Sequence, residues 1–274
     1  MAPLFTDLSH DNIRFISHIL IPPLDSFINL LWASKGQPSF AKERILPDGC
    51  ASLLFNFSGT INARSADQNI SLPNCFISGV TSTYFDLSYS DLHEQVGIIF
   101  KPHGAFALFN IPMSEFHNAA VDVHLIIKHV FREVFEKMQQ TTSLEQRLSL
   151  LNSFLIKQLS TKTMEPSIPY LTALLQTNIN VTQLADRVGF SQQHVSRLFR
   201  KHIGVSPKMI QRILRFQNAV NLIKQAPGSL TYTGYTANYY DQSHFINEFQ
   251  SLGGISPGKL FDHHSDTIDR IAII

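Results

Sequence analysis

Val181–Lys201 reads VTQLADRVGFSQQHVSRLFRK. Leu184, Ala185 and Val188 recur at helical spacing, and so do Val195, Leu198 and Phe199. Two short amphipathic helices are therefore predicted. Asn180 stands where the first helix needs an N-cap, with Gln183 three residues on as in a capping box. Gly189 falls at the turn, where a left-handed backbone costs glycine little, and Ser191 can cap the second helix. Burying the apolar faces leaves Gln192, Gln193, Ser196, Arg197 and Arg200 on the outside of the second helix, with Lys201 closing the basic run. Arginine can grip guanine and glutamine adenine, each through two hydrogen bonds. The stretch thus has the form of a helix-turn-helix that places one helix in the major groove of DNA. The alternative is an ordinary helical hairpin with a solvated polar face.

An imperfect second version follows at Leu230–Gln250, LTYTGYTANYYDQSHFINEFQ. A helix predicted from about Ser206 to Gln225 joins the two. Ser206 caps it and Pro207 suits its first position, where no backbone N–H is needed. Ile210, Ile213, Leu214, Val220 and Ile223 form its buried stripe, and Pro227-Gly228 ends it.

The ordered set Leu184-Ala185, Gly189-Phe190-Ser191, Leu198-Phe199, Gly204-Val205-Ser206-Pro207, Arg215 with Ala219, Asp241-Gln242-Ser243-His244-Phe245, Phe249 and Ile255-Ser256-Pro257 resembles the DNA-binding domain of AraC/XylS-type transcription regulators. The resemblance covers roughly residues 168–261. It implies two helix-turn-helix units entering successive major grooves of promoter DNA, a function that also brings in RNA polymerase. Gln193, Ser196 and Arg197 would lie nearest the bases in the first unit, and Gln242, Ser243, Ile246 and Asn247 in the second. The second unit departs from the family pattern. Thr233-Gly234 stand where an Ile-Ala pair is usual, Asn238 where glycine is usual, and Asn247 where arginine is frequent. Its first helix is also rich in Thr and Tyr, which are middling helix formers at best.

Charge separates the parts. Residues 178–228 hold eight Lys/Arg (Arg187, Arg197, Arg200, Lys201, Lys208, Arg212, Arg215, Lys224) against Asp186 alone; residues 229–262 hold Lys259 against three acids; residues 1–165 hold twelve bases against fifteen acids. Phosphate attraction supplies much of the affinity for DNA, so the first unit is expected to carry most of it.

The amino-terminal half is different in kind. Ala51–Ser58, Phe76–Tyr84 and Gln95–Phe100 are short apolar runs rich in strand formers and punctuated by Pro73, Gly79, Pro102 and Gly104, which predicts a β-rich domain. Leu46-Pro47-Asp48-Gly49, Gly79-Val80-Thr81 and Gly97 through Ala105 (GIIFKPHGA) resemble an uncharacterised N-terminal domain found in a subset of AraC-type regulators. That resemblance implies a sensing or oligomerising role, with a small barrel as one candidate arrangement and an effector of unknown identity. Phe55, Phe57 and Phe100 are candidates to line a pocket. From Val121 the pattern turns helical. Leu144, Leu148, Leu151, Leu155 and Leu159 form a stripe, with Ser143 and Gln146 as a capping box. Packing within the domain is the first reading of the stripe and a homodimer seam the second.

The expected organisation is α+β: a β-rich sensor over 1–120, a helical connector over 121–160, a linker over 161–169, an all-α double helix-turn-helix domain over 170–262, and a tail over 263–274. No apolar run approaches membrane-spanning length and no secretory signal opens the chain, so a cytoplasmic location without membrane contact is expected. Cys50 and Cys75 read as small buried hydrophobes. His93 with Glu94, and His103, lack metal-site spacing, His263-His264 offers adventitious metal binding only, and no nucleophile elbow, Walker loop or dinucleotide fingerprint is present. No metal, no cofactor and no enzymatic activity are expected. The runner-up is a ligand-binding enzyme or protein–protein adaptor with a degenerate helix-turn-helix tail.

Overall fold

The computed structural model describes residues 5–7, 12–38, 42–65, 68–90, 92–126, 131–159, 167–175, 179–225, 229–260 and 270–272. The expected Pro227-Gly228 stop, most of the expected linker and tail, and His263-His264 lie outside them.

Among the described residues twelve strands form two sheets. The larger runs in the order β1 (Phe5–Asp7), β2 (Ile13–His18), β3 (Ile28–Gly36), β10 (His93–Phe100), β5 (Ser52–Ser58), β8 (Cys75–Ser78), β11 (Ala120–Asp122). The smaller runs β12 (Arg270–Ala272), β4 (Glu43–Ile45), β9 (Phe85–Tyr89), β6 (Ile61–Arg64), β7 (Asn69–Ser71). Among the described residues neither sheet closes on itself, so the arrangement is a pair of open sheets and not a barrel.

The sheets are accompanied by helices α1 (Gly104–Phe109), α2 (Val123–Ile126), α3 (Arg132–Gln139) and α4 (Leu144–Leu159). Strand alternation sorts the large sheet's side chains onto two faces. Leu31 and Ala33 of β3, Leu53 and Phe55 of β5, and Val96, Ile98 and Phe100 of β10 join the core beneath the helices. Leu30, Trp32 and Ser34 of β3, Ser52 and Leu54 of β5, and His93 and Gln95 of β10 line a cavity between the two sheets. Phe55 and Phe100 therefore face away from it: Phe55 lies 6.0 Å from Phe131 and 5.8 Å from Phe135, and Phe100 meets Phe109 at 5.7 Å. Phe57 meets Phe135 at 5.4 Å. The expected pocket was placed on the wrong face of the right strands.

Leu144, Leu148, Leu151 and Leu155 are at most 2% exposed and belong to this core. At about 2 kcal/mol each, their burial ties α4 to the sheet, and a seam between two chains cannot use the same side chains. Ser143 caps α4 through Gln146 N at 3.3 Å, but Gln146 turns to the Thr141 hydroxyl, so the reciprocal half of the box is missing. Burial pushes both cysteine thiols up; Cys75 is buried, as expected, while Cys50 is half-buried.

The carboxyl-terminal part is helical: α5 (Ser167–Leu175), α6 (Val181–Val188), α7 (Gln192–His202), α8 (Pro207–Gln225), α9 (Leu230–Thr236) and α10 (Gln242–Gly253). No helix among the described residues is long and apolar enough to cross a membrane.

Candidate nucleic-acid interface

Each helix pair starts and turns as its residues dictate. Asn180 and Gln183 form the full capping box of α6. Gly189 takes φ 68° at the first turn and Asn238 φ 62° at the second, which is the conformation that makes these two residue types useful there. Ser191 accepts from His194 N, Ser229 from Tyr232 N and Asp241 from His244 N, capping α7, α9 and α10.

The two reading helices present the same face. Residues 191–200 and 241–250 show one burial pattern position for position. Val195 and Phe245, and Phe199 and Phe249, point inward; Gln192, Gln193, Arg197 and Arg200 are exposed in the first, and Gln242, Ser243, Asn247 and Gln250 in the second. Ser196 and Ile246 are half-buried in both. Lys201 is exposed too, with its ammonium 5.3 Å from the Phe106 ring of α1.

Packing behind these faces explains the departures of the second unit. Ala185 in α6 is matched by Gly234 in α9, and Val195 by the larger Phe245. A Cβ on Gly234 would come within 3.2–3.3 Å of Phe245, so the smaller residue makes room for the larger ring.

The polar environments diverge. His194 Nδ1 lies 3.0 Å from an Arg197 guanidinium nitrogen. Arginine can only donate, so the imidazole accepts and holds the guanidinium along the helix; Phe190 packs edge-on against the same ring at 4.6 Å. In the second unit Leu198 is replaced by Glu248, whose side chain is 7% exposed. It accepts from Arg212 Nε at 3.0 Å and from Arg215 Nη2 at 2.5 Å, with His244 Nε2 at 3.7 Å. Arg212 and Arg215 are therefore committed to an internal ion pair. Of the eight bases counted over 178–228, the other six are exposed. This pairing was not legible in the charge count, because Glu248 lies in a different helix from both arginines.

The amino-terminal half touches both units at matching places. Gly204 follows α7 and Gly254 follows α10, with φ of 101° and 69°. A Cβ on Gly204 would meet the Met113 carbonyl oxygen at 2.7 Å, and one on Gly254 the Tyr84 ring at 2.1 Å. Between them, Gln217 of α8 donates to the Pro47 carbonyl, and Gly49 packs beside Ile210 and Ile213.

Two capped helix pairs hung on a shared connecting helix define a double helix-turn-helix domain. Residues 172–263 match the family described as "Helix-turn-helix domain", and residues 21–122 match "Domain of unknown function (DUF6597)". The chain carries an AraC/XylS-type helix-turn-helix domain at its carboxyl end, preceded by that second domain. It is similar to the HTH-type transcriptional regulator GlxA of Rhizobium meliloti, 31% identical over 86 residues, which are 31% of this chain and 26% of that protein. An uncharacterized HTH-type transcriptional regulator of Haemophilus influenzae is 32% identical over 92 residues, 32% of this chain and 31% of its own. The matches span less than a third of either relative's length. Among solved structures, ToxT from Vibrio cholerae aligns over 84% of this chain and 97% of its own, at 10% identity and TM-score 0.46.

Proposed function

We propose that this protein is a sequence-specific transcription regulator that binds double-stranded promoter DNA through α7 and α10 in successive major grooves. Its amino-terminal domain receives an effector. The observation that carries this reading is the fifty-residue repeat of one exposure pattern on two capped helices. Two helices that merely closed a core would have no reason to expose hydrogen-bonding side chains, amide or basic, at equivalent positions. Gln192, Gln193, Ser196, Arg197 and Arg200 supply base and phosphate contacts from the first unit, with Lys201 at its margin. Gln242, Ser243, Ile246 and Asn247 do so from the second. Arginine and glutamine reach guanine and adenine edges, and the exposed cations add sequence-independent affinity. RNA polymerase is the downstream partner such a function implies.

The test is binding to a fragment of the region upstream of its own gene, beside a scrambled fragment, across a salt series. Preference for the upstream DNA, falling steeply with salt and lost in Arg197→Ala, is expected. Equal binding to both fragments at every salt concentration would overturn sequence-specific recognition of this region, and no binding at low salt would overturn the reading altogether.

A further inference from the structure

The cavity between the two sheets has a volume of about 860 Å³, inside the range of small-molecule sites. Its wall is mainly apolar and aromatic, with Trp32, Tyr84, Phe85 and Tyr89 among its residues. Trp32 owes its position to Gly97 on the neighbouring strand, where a Cβ would strike the indole at 2.4 Å. Phe15 stacks on the same ring at 5.5 Å.

Two polar side chains in this wall are buried and each holds one nitrogen without a partner. Gln95 is 3% exposed and its Nε2 has no partner within the protein; His93 is 6% exposed and the same holds for its Nδ1. They sit two residues apart on β10, on one face and about 7 Å from each other. A buried polar nitrogen left without a partner is costly, and here an amide N–H and an imidazole nitrogen both belong to the lining of one largely apolar space.

The electrostatics select against an anion. Glu43 stands in the wall and accepts from the Tyr89 hydroxyl at 2.9 Å. Burial pushes His93 down, so its ring is neutral near pH 7. Among the described residues Lys224, exposed on α8, is the one cation of the lining.

We propose that this cavity binds an uncharged, largely apolar molecule, planar or aromatic in part, whose carbonyl or similar acceptor is read by Gln95 with His93 beside it. The proposal rests on the reading of the amino-terminal domain as the part that receives an effector, and it supplies the class of that effector.

The chain has a single tryptophan, so Trp32 reports on the site. The probe is 6-propionyl-2-dimethylaminonaphthalene, a neutral fused aromatic with one ketone, titrated into the full chain. Saturable binding of one probe per chain is expected, with a blue-shifted probe emission and quenching of Trp32 by energy transfer. Gln95→Leu, which keeps the volume and removes the donor, should weaken binding about tenfold. Ser34→Leu, which fills the space from β3, should abolish it and gives an independent check should Gln95→Leu fail to fold. The anionic probe 1-anilinonaphthalene-8-sulfonate should bind at least tenfold more weakly. Probe binding that leaves Trp32 emission unchanged, survives both variants, or is matched by the anionic probe would overturn the proposal. The assay contains no DNA. A chain that takes the probe but ignores DNA therefore sinks the regulator reading alone, and one that reads DNA but rejects the probe sinks the ligand site alone.

Discussion

Arg44 Nη1 donates to the carbonyl oxygen of Gly253 at 3.3 Å, joining the small sheet to the last residue of the second reading helix. The same guanidinium pairs with Asp86 on β9 through Nε at 2.6 Å and Nη2 at 2.9 Å, and it lies 3.9 Å from the Tyr84 ring centroid. Strand alternation makes this a two-sided device. Glu43 and Ile45 line the cavity, while Arg44 between them reaches the helical domain. A change on the cavity side of β4 is thus one residue away from the contact that holds the end of α10.

Arg44→Ala removes one partner of a largely buried ion pair, with side chains 8% and 18% exposed. A loss of about 3 kcal/mol is expected. Hydrogen exchange should speed up around Gly253 and Gly254 while residues near Gly204 stay protected. Unchanged exchange at the end of α10 would show that Arg44 does not hold it.

Arg197→Ala and Asn247→Ala should not be equivalent. Arg197 is a charged, two-pronged donor held in place by His194, whereas Asn247 is neutral and belongs to a unit with few cations. The first substitution should weaken promoter binding by at least tenfold and flatten its salt dependence. The second should weaken it a few-fold and only on some sequences. Equal losses in a titration over several operator variants would refute the asymmetry.

Glu248→Gln should separate stability from DNA affinity. Arg212 and Arg215 lose their shared carboxylate, at a cost of about 3 kcal/mol in thermal unfolding. They also become available as two further cations, so non-specific DNA binding should show a steeper salt slope. A slope identical to that of the parent protein would mean that the two arginines do not reach phosphate even when released.

Asp48 lies in the loop that packs on α8, and burial pushes its carboxyl up to about 6 against the opposing hydrogen bond from Cys50 N. The folded chain then holds a proton that the unfolded chain gives up between about pH 4 and pH 6. This contribution to stability is greatest below the ordinary carboxylate range and is lost as pH rises through about 6, by about 3 kcal/mol in all. Asp48→Asn keeps an acceptor for Cys50 N and escapes the fall. It should therefore melt higher than the parent protein at pH 8 and at the same temperature near pH 4. A parallel pH dependence for the two proteins would rule this out.

The helix-turn-helix part was almost wholly legible in the residues. Its caps and turns are set by local chemistry: Asn180 with Gln183, Ser191 and Asp241 each satisfy a backbone group within a few residues, and Gly189 and Asn238 take the left-handed turn positions. The sheets were legible as strand-forming runs only. Phe55 and Ser52 share a strand, and nothing local says which parity meets helices and which meets the second sheet. The pairing of Glu248 with Arg212 and Arg215 was hidden for the same reason, since 33 to 36 residues separate the partners.

What the sequence determined by itself is therefore what short-range physics controls: two capped helix pairs, the polar face each exposes, the leucine stripe of α4, and the β character of the amino-terminal half. The tertiary structure alone decided which face of the large sheet is hollow and which arginines are spent on an internal carboxylate. It also decided that Met113 and Tyr84 seat against glycines at the same place in both units. These depend on groups far apart in the chain, and solvent exclusion and charge pairing become fixed only when distant segments are brought together.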